Sequence, residues 1–278
     1  MRAQASRNAS PVAANTNERR SGERVFSRVI VGGVKTACVS RKQLELLMIG
    51  DCLAARGGKR APKLVFAANG HAVALAASDP DFRRKFDAAD LIHADGAPVV
   101  FASKLLTRTP IPERSATTDF IHDAASAACA HGLKFFLLGG SEEINWRCAD
   151  ALQARYPDLR VAGRRNGYFS PDEETQICEQ INASGADVVW VGLGVPFEYD
   201  FCLRNRHRLK VGWIVTCGGC FNFAAGDYVR APQWMQKGGL EWLHRLWREP
   251  KRLFWRYAVT NPQAIFLLLT RTVARPTR

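Results

Sequence analysis

Short runs of apolar residues alternate along this chain with segments in which apolar positions return at every third or fourth residue. Leu64–Ala67, Leu91–Ala94, Lys134–Leu138, Val188–Val191 and Trp213–Val215 are too short for buried helices and end in polar or glycine turns, which predicts strands. Val29–Val34 and Leu159–Ala162 read as further short strands. Ser40 and Gln43 form a capping box ahead of Leu44, Leu47 and Cys52, predicting a helix of about four turns that stops near Gly57-Gly58. Helical spacing over 71–77, 117–130, 141–155 and 197–208 predicts further helices, with Trp146 and Leu152 turned inward on the third and Gly132 ending the second. Another helix starts at Ala97-Pro98-Val99, and Ser170-Pro171-Asp172-Glu173 carries the cap, proline and glutamate of a helix start. Strands that are apolar throughout, separated by helices, predict an α/β fold: a Rossmann-like, mostly parallel sheet with helices on both faces.

The ends of the chain differ from this body. Residues 1–28 have no apolar period and read as a disordered basic tail, residues 29–229 as the α/β core, and residues 230–278 as an aromatic, basic helical appendage. The net charge of +13 sits at the ends, +4 in the first 28 residues and +8 in the last 49, so the body is nearly neutral. Basic ends suit nucleic acid or an anionic membrane face. In the appendage the charges alternate with Trp242, Leu243, Leu246, Trp247, Leu253, Phe254, Trp255 and Tyr257, which favours a helix lying on a membrane surface. No apolar run reaches the roughly 20 residues of a spanning helix, and Ala264–Leu269 is long enough only to lie on a surface. Of eight cysteines only Cys217 and Cys220 are closely spaced, and Phe221-Asn222-Phe223 follows where a redox motif needs a thioredoxin-like helix, so packing beside a tight turn is the plainer reading.

Candidate chemistry collects at the ends of the strands. In an open α/β sheet ligands sit outside the carboxyl ends of the strands, where Asn69-Gly70-His71 and Asp95-Gly96 fall. Asp95 is a candidate general base or an N-cap, with Asn69 orienting a sugar across the same cleft. His71 reads as a structural or substrate-orienting histidine, because no second ligand lies at metal spacing. Arg114 either grips a diphosphate or pairs with Glu113 on the surface. Glu198, at a helix start, either holds sugar hydroxyls or only complements the helix dipole. Gly139-Gly140, Gly192-Leu193-Gly194 and Gly218-Gly219 follow strands and either bring phosphates close to backbone N–H groups or simply make tight turns. No Walker A or complete dinucleotide fingerprint is present, which disfavours ATPase and dehydrogenase chemistry.

The order Asn69…His71, Ala94-Asp95-Gly96, Glu113-Arg114…Asp119, Phe136–Gly140, Tyr156-Pro157, Gly167-Tyr168-Phe169, Ile181–Asp187 and Val191–Gly194, followed by Arg230-Ala231-Pro232…Trp234, Gly239–Trp242…Arg245 and Glu249-Pro250…Arg252, resembles the WecG/TagA/CpsF glycosyltransferase family over about residues 35–256. The resemblance implies an inverting transfer of a hexose from a UDP-sugar to a polyprenyl-diphosphate-linked sugar, in exopolysaccharide or cell-envelope synthesis. It implies a place on the inner face of the cytoplasmic membrane and no cofactor or required metal. It assigns the base to Asp95 and substrate contacts to Asn69, Arg114 and the appendage. Tyr168 and Arg230, in the matching motifs, join His71, Gly139, Gly140, Gly192, Gly194 and Glu198 as expected substrate contacts.

Four segments depart from the family pattern: Ala67 before Asn69, Ser115-Ala116-Thr117 after Arg114, Glu198 in place of an amide, and Asn222 in place of an acid. They surround the sugar pocket and leave Asp95 in place. A carboxylate at 198 would repel a uronate and pair with hydroxyls, so glucose is the expected donor sugar, ahead of N-acetylmannosamine or its uronate. A nucleic-acid-binding regulator with a Rossmann-like body would explain the charge but not the turns around Asn69 and Asp95, so no nucleic-acid partner is expected. Homo-oligomerisation is compatible with the sequence and unassigned by it.

Overall fold

In the computed structural model, which describes residues 26–56 and 60–274, the chain opens with a hairpin of β1 (Arg28–Val31) and β2 (Val34–Ala37). The single strand expected over 29–34 is therefore two strands, because Gly32 and Gly33 both take positive φ and turn the chain in two residues. The tail over residues 1–25, the Gly57-Gly58 stop and the last four residues lie outside the described residues.

After the hairpin come α1 (Arg41–Ala55), β3 (Lys63–Ala68), α2 (Gly70–Ser78), α3 (Pro80–Asp87), β4 (Leu91–Ala94), α4 (Ala97–Leu106), α5 (Thr117–His131), β5 (Lys134–Gly139), α6 (Glu142–Arg155) and β6 (Arg160–Arg165). A 3-10 turn at Pro171–Glu173 leads into α7 (Glu174–Ser184), β7 (Val188–Gly192), α8 (Phe197–Asn205), β8 (Trp213–Thr216) and α9 (Cys220–Ala224). The appendage is α10 (Gln233–Lys237), α11 (Glu241–Arg248) and α12 (Pro250–Thr270). Strands β3 to β8 make one parallel sheet in the order β4-β3-β8-β7-β5-β6. The α/β class and parallel sheet expected from the apolar runs are those observed.

Alternation along the strands supplies two apolar layers. Leu64, Phe66 and Ile214 face one way and join α2, α3, α7 and α8, while Val65, Trp190, Trp213 and Val215 face the other and join α1, α5 and α6. Helix α3, which the pattern did not predict, is short and strongly charged. Only Phe82 and Phe86 of it are buried, and they pack on Phe66 and Tyr199. Trp146 is exposed rather than inward, and Asn145 beside it turns in instead, donating to the carbonyls of Leu137 and Gly139. The late apolar run is not confined to the surface: Ala264, Leu267 and Leu268 are buried where α12 lies along α2 and α4. Beyond α12, Gly33 N–H donates to the Arg271 carbonyl and Val273 N–H to the Ile30 carbonyl, tying the appendage to the first hairpin.

The parallel register brings the strand ends into one row. At the β5–β7 end the glycines permit close contact, since a Cβ on Gly139 would lie 2.2 Å from the Gly192 carbonyl oxygen at a φ of 135°. Gly132, with φ 61° at the end of α5, faces open space. Gly139→Ala should therefore cost more than about 3 kcal/mol in chemical denaturation, against about 1–2 kcal/mol for Gly132→Ala. Equal losses would contradict the close approach.

Candidate active site

Pairing of β3 with β4 sets Ala68 opposite Ala94, so the next residues, Asn69 and Asp95, leave the sheet side by side. Gly96 makes room for them, since a Cβ there would lie 3.0 Å from Asn69 Cα. The N–H groups of Asp95 and Gly96 both donate to the Ala68 carbonyl, which fixes the turn. Asn69 caps α2 by accepting from Ala72 N–H through Oδ1, and its Nδ2 donates to Asp95 Oδ2 at 3.2 Å. The capping alternative thus belongs to Asn69. Asp95 does not cap α4, whose N-cap position is Gly96 with no side-chain bond.

The other Asp95 oxygen accepts from Thr117 N–H, the first residue of α5, at 2.8 Å. Arg114 Nε donates to the Asp95 carbonyl at 2.6 Å. Burial pushes the Asp95 carboxyl up, but the Arg114 guanidinium, the Thr117 N–H and the Asn69 amide together outweigh it and hold its pKa below the ordinary aspartate value. Asp95 is therefore ionised at neutral pH. His93, two residues earlier, is held by Ser115, with its Nδ1 2.8 Å from the Ser115 carbonyl oxygen, and burial lowers its pKa, so it stays neutral.

Asp95 and Asn69 form one wall of a cleft of about 250 Å³, just below the usual range for ligand sites. The facing wall comes from the appendage: Trp242 and Arg245 of α11, and Arg256, Tyr257, Asn261 and Ile265 of α12. Arg114 Nη2 reaches Glu241 at 2.8 Å, so it pairs with the appendage, and Glu113 instead accepts from Arg41 N–H. Arg230 is not in the cleft. It bridges Asp119 of α5 at 2.9 Å and Glu241 at 3.2 Å, joining core to appendage. With Glu241 so engaged, Arg245 and Arg256 face the cleft without an acidic partner among the described residues. Partial desolvation lowers the Arg256 pKa although its side chain stays exposed, with repulsion from Arg245 and Arg252 adding to it, so an anion placed there would offset the repulsion. His71 also lines the cleft. Burial, with Arg256 beside it, lowers its pKa to about 4, so it is a neutral hydrogen-bonding group with a buried Nδ1 that has no protein partner.

The remaining expected contacts stand along the same edge of the sheet, outside this cleft. Gly140 N–H donates to the Gly192 carbonyl, and Gly194 N–H to Glu198, so these two amides are engaged within the protein. Exposed Tyr168 follows Gly167, whose N–H donates to the Gly140 carbonyl, and so marks the rim over those turns. Glu198 is buried beneath them, its Oε2 accepting from Gly194 N–H at 3.2 Å and Gly218 N–H at 3.0 Å. Cys217 and Cys220 are buried thiols with pKa values pushed well up by burial, as packing residues are.

Arg245, Arg256 and Asn261 escaped the sequence reading as site residues. The resemblance assigns substrate contacts to the appendage as a whole without naming these three, and the fold shows that α11 and α12 turn one side to Asp95.

The sequence model of the glycosyl transferase WecG/TagA/CpsF family matches residues 29–278. The chain is similar to the N-acetylglucosaminyldiphosphoundecaprenol N-acetyl-beta-D-mannosaminyltransferase of Bacillus subtilis, 29% identical over 198 residues that cover 71% of this chain and 75% of the relative. It is similar to the protein of the same description from Bacillus spizizenii, 29% identical over 203 residues, 72% of this chain and 77% of the relative.

Burial pushes the Glu198 carboxyl up to about 7 against the pull of its two N–H donors, with the charge of Asp95 adding a smaller push. Because the folded pKa lies above the unfolded value, the stability it brings is complete below about pH 4.5 and is lost as pH rises through about 7. Glu198→Gln keeps an oxygen for both N–H groups and removes this loss. Its stability relative to wild type, by chemical denaturation, should rise by up to about 3 kcal/mol between about pH 5 and about pH 8; a pH-independent difference would contradict the assignment.

Proposed function

Because the chain belongs to the glycosyl transferase WecG/TagA/CpsF family, we propose that it moves a hexose from a UDP-sugar to a polyprenyl-diphosphate-linked sugar at the inner face of the cytoplasmic membrane, with inversion at the anomeric carbon. The observation that carries this reading is the ionised Asp95 carboxylate, fixed by Asn69 and Thr117, facing across the cleft two guanidinium groups that have no acidic partner among the described residues. Asp95 takes the proton of the acceptor hydroxyl, whose oxygen attacks the anomeric carbon from the side opposite UDP. The bond from that carbon to the diphosphate breaks and UDP departs, so an α-linked donor gives a β-linked product.

The reaction brings two diphosphates to one place, the donor's and the acceptor's. Arg245 and Arg256 supply charge for them, with Arg114 held rigid between Asp95 and Glu241. This moves phosphate stabilisation from the glycine amides to the appendage arginines, since the Gly140 and Gly194 amides have partners of their own. His71 and Asn69 orient sugar hydroxyls. Tyr168 offers a flat surface to the donor base above the glycine turns. Glu198 shapes the donor side from below, with Oε2 holding the turns after β7 and β8, and the departures from the family pattern around the sugar pocket support glucose as the donor sugar. The N-acetylmannosaminyl transfer for which the two Bacillus relatives are named supports N-acetylmannosamine as the second reading.

Membrane attachment, in this reading, uses the outer side of the appendage, where Trp247, Phe254 and Trp255 are exposed among Arg248, Lys251 and Arg252. No helix of the described residues is long and apolar enough to cross a membrane. Removing the appendage would also uncover Leu253, Leu267 and Leu268, so surface substitutions test this role without opening the core.

Radiolabelled UDP-glucose, UDP-N-acetylmannosamine and its uronate, each offered with a lipid-diphosphate-linked sugar, should give transfer from glucose first. Transfer from the amino sugar alone selects the second reading, and transfer from none overturns the reaction. Trp247→Ser combined with Trp255→Ser should reduce sedimentation with anionic vesicles by about tenfold; unchanged sedimentation would remove the membrane role from this face.

A further inference from the structure

Two apolar stripes leave the cleft together. On α4, Ala97 lines the cleft, and Phe101 and Leu105 follow at intervals of four on the same side, 48% and 76% exposed. On α12, Ile265 lines the cleft, and Leu269 follows four residues on, with Val273 four residues further just past the helix. Ile265 and Leu269 are 56% and 58% exposed.

The two stripes run side by side and in the same direction. The helices pack against each other. At their inner ends both border the cleft, and at their outer ends Arg108 N–H, just past α4, donates to the carbonyl of Ala274, just past α12. Gly239, in the turn before α11, lies against Ala97 and Phe101 and closes the inner end, where a Cβ would come within 3.1 Å of the Phe101 ring. From Ala97 to Leu105 the track is about 12 Å long at 1.5 Å per residue.

Charge separates this track from the membrane-facing side of the appendage. Residues 261–270 contain no charged side chain, and α4 contains only Lys104. The aromatic residues around Trp247 and Trp255 are instead interleaved with arginine and lysine. The inner end of the track meets Arg245 and Arg256, which lack acidic partners among the described residues. A molecule that fits both must carry an anionic head and a long uncharged hydrocarbon tail joined directly to it.

We propose that the α4–α12 track is the exit path of the acceptor's polyprenyl chain, with the diphosphate at the arginines and the first isoprene units lying on Phe101, Leu105, Ile265 and Leu269. The proposal rests on the transferase reading above and adds to it a route for the lipid. The track delivers the tail to the outer end of α12, so the acceptor enters the cleft head first while its chain remains on an apolar surface. Uncovered, a stripe of this kind would be a liability for association; a hydrocarbon occupant lowers that exposure.

The test uses the full-length protein and an acceptor whose second or third isoprene unit carries a diazirine. Irradiation should label peptides containing residues 97–107 and 261–274. For Leu105→Ser combined with Leu269→Ser, both on the surface, labelling should fall. The ratio of kcat/KM for a long-chain acceptor to that for a short-chain acceptor should fall about tenfold, from lost apolar contact. Labelling confined to α11 around Trp247, with the ratio unchanged, would overturn the path in favour of direct entry into the bilayer. A variant that loses vesicle sedimentation but keeps the ratio would make the track a membrane face. A variant that changes sedimentation-equilibrium mass would make it a contact between copies of the chain, and either result overturns the proposal. Transfer to the short-chain acceptor by the wild-type protein reports on the transferase reading by itself, so its failure is distinct from failure of the lipid path.

Discussion

The register between β3 and β4 is the constraint on which the site depends. Setting Ala68 opposite Ala94 places Asn69 and Asp95 at adjacent strand ends with their side chains in contact. A slip of one residue would send one of them to the opposite face of the sheet. The register is itself fixed by burial, because β4 is buried along its whole length and β3 packs Leu64 and Phe66 on one face and Val65 on the other. Gly96 then allows the two backbones to approach as closely as they do. The chemistry of the cleft is thus a consequence of how the core packs, with the polar residues placed one step beyond the last apolar pair.

Charge organises the second half of the site. Removing a carboxylate from water is costly, and Asp95 remains ionised because α5 presents an N–H to one oxygen, Asn69 an amide to the other, and Arg114 a guanidinium nearby. Arg114 also reaches Glu241, and Arg230 ties Glu241 to Asp119, so one acid in the appendage is held by two arginines of the core side and the linker. That arrangement leaves Arg245 and Arg256 without acidic partners among the described residues, at the place where a double anion is expected. The appendage is therefore a wall of the site as well as a surface, and its attachment through α2, α4 and the first hairpin makes it part of the same folded body.

The sheet is readable in the chain because β3, β5, β7 and β8 are apolar along most of their length and give way to glycine or polar turns, and the order of motifs points to the family. Asn69 and Asp95 could be placed at strand ends for the same reason. What the pattern concealed depends on contacts between distant segments. Glu198 looked like a residue at the cleft mouth, yet its carboxylate lies beneath the turns after β7 and β8, a position no local signal encodes. Arg230 looked like a ligand contact and is a bridge between α5 and α11. Helix α3 carries too few apolar residues to show a period, and Trp146 followed a helical period whose inward place is taken by Asn145.

In the proposed transfer the Asp95 carboxylate is the base, held ionised by the groups around it. Single-turnover transfer by Asp95→Asn, with UDP affinity and thermal unfolding measured on the same preparation, tests it most directly. The amide keeps an oxygen for Thr117 N–H, gives up the bond from the Asn69 amide and cannot take a proton, so the expected rate is lower by about 10²–10⁴ with UDP binding and folding retained. Near-wild-type turnover would contradict it and leave Asp95 as a residue that only fixes the starts of α2 and α5.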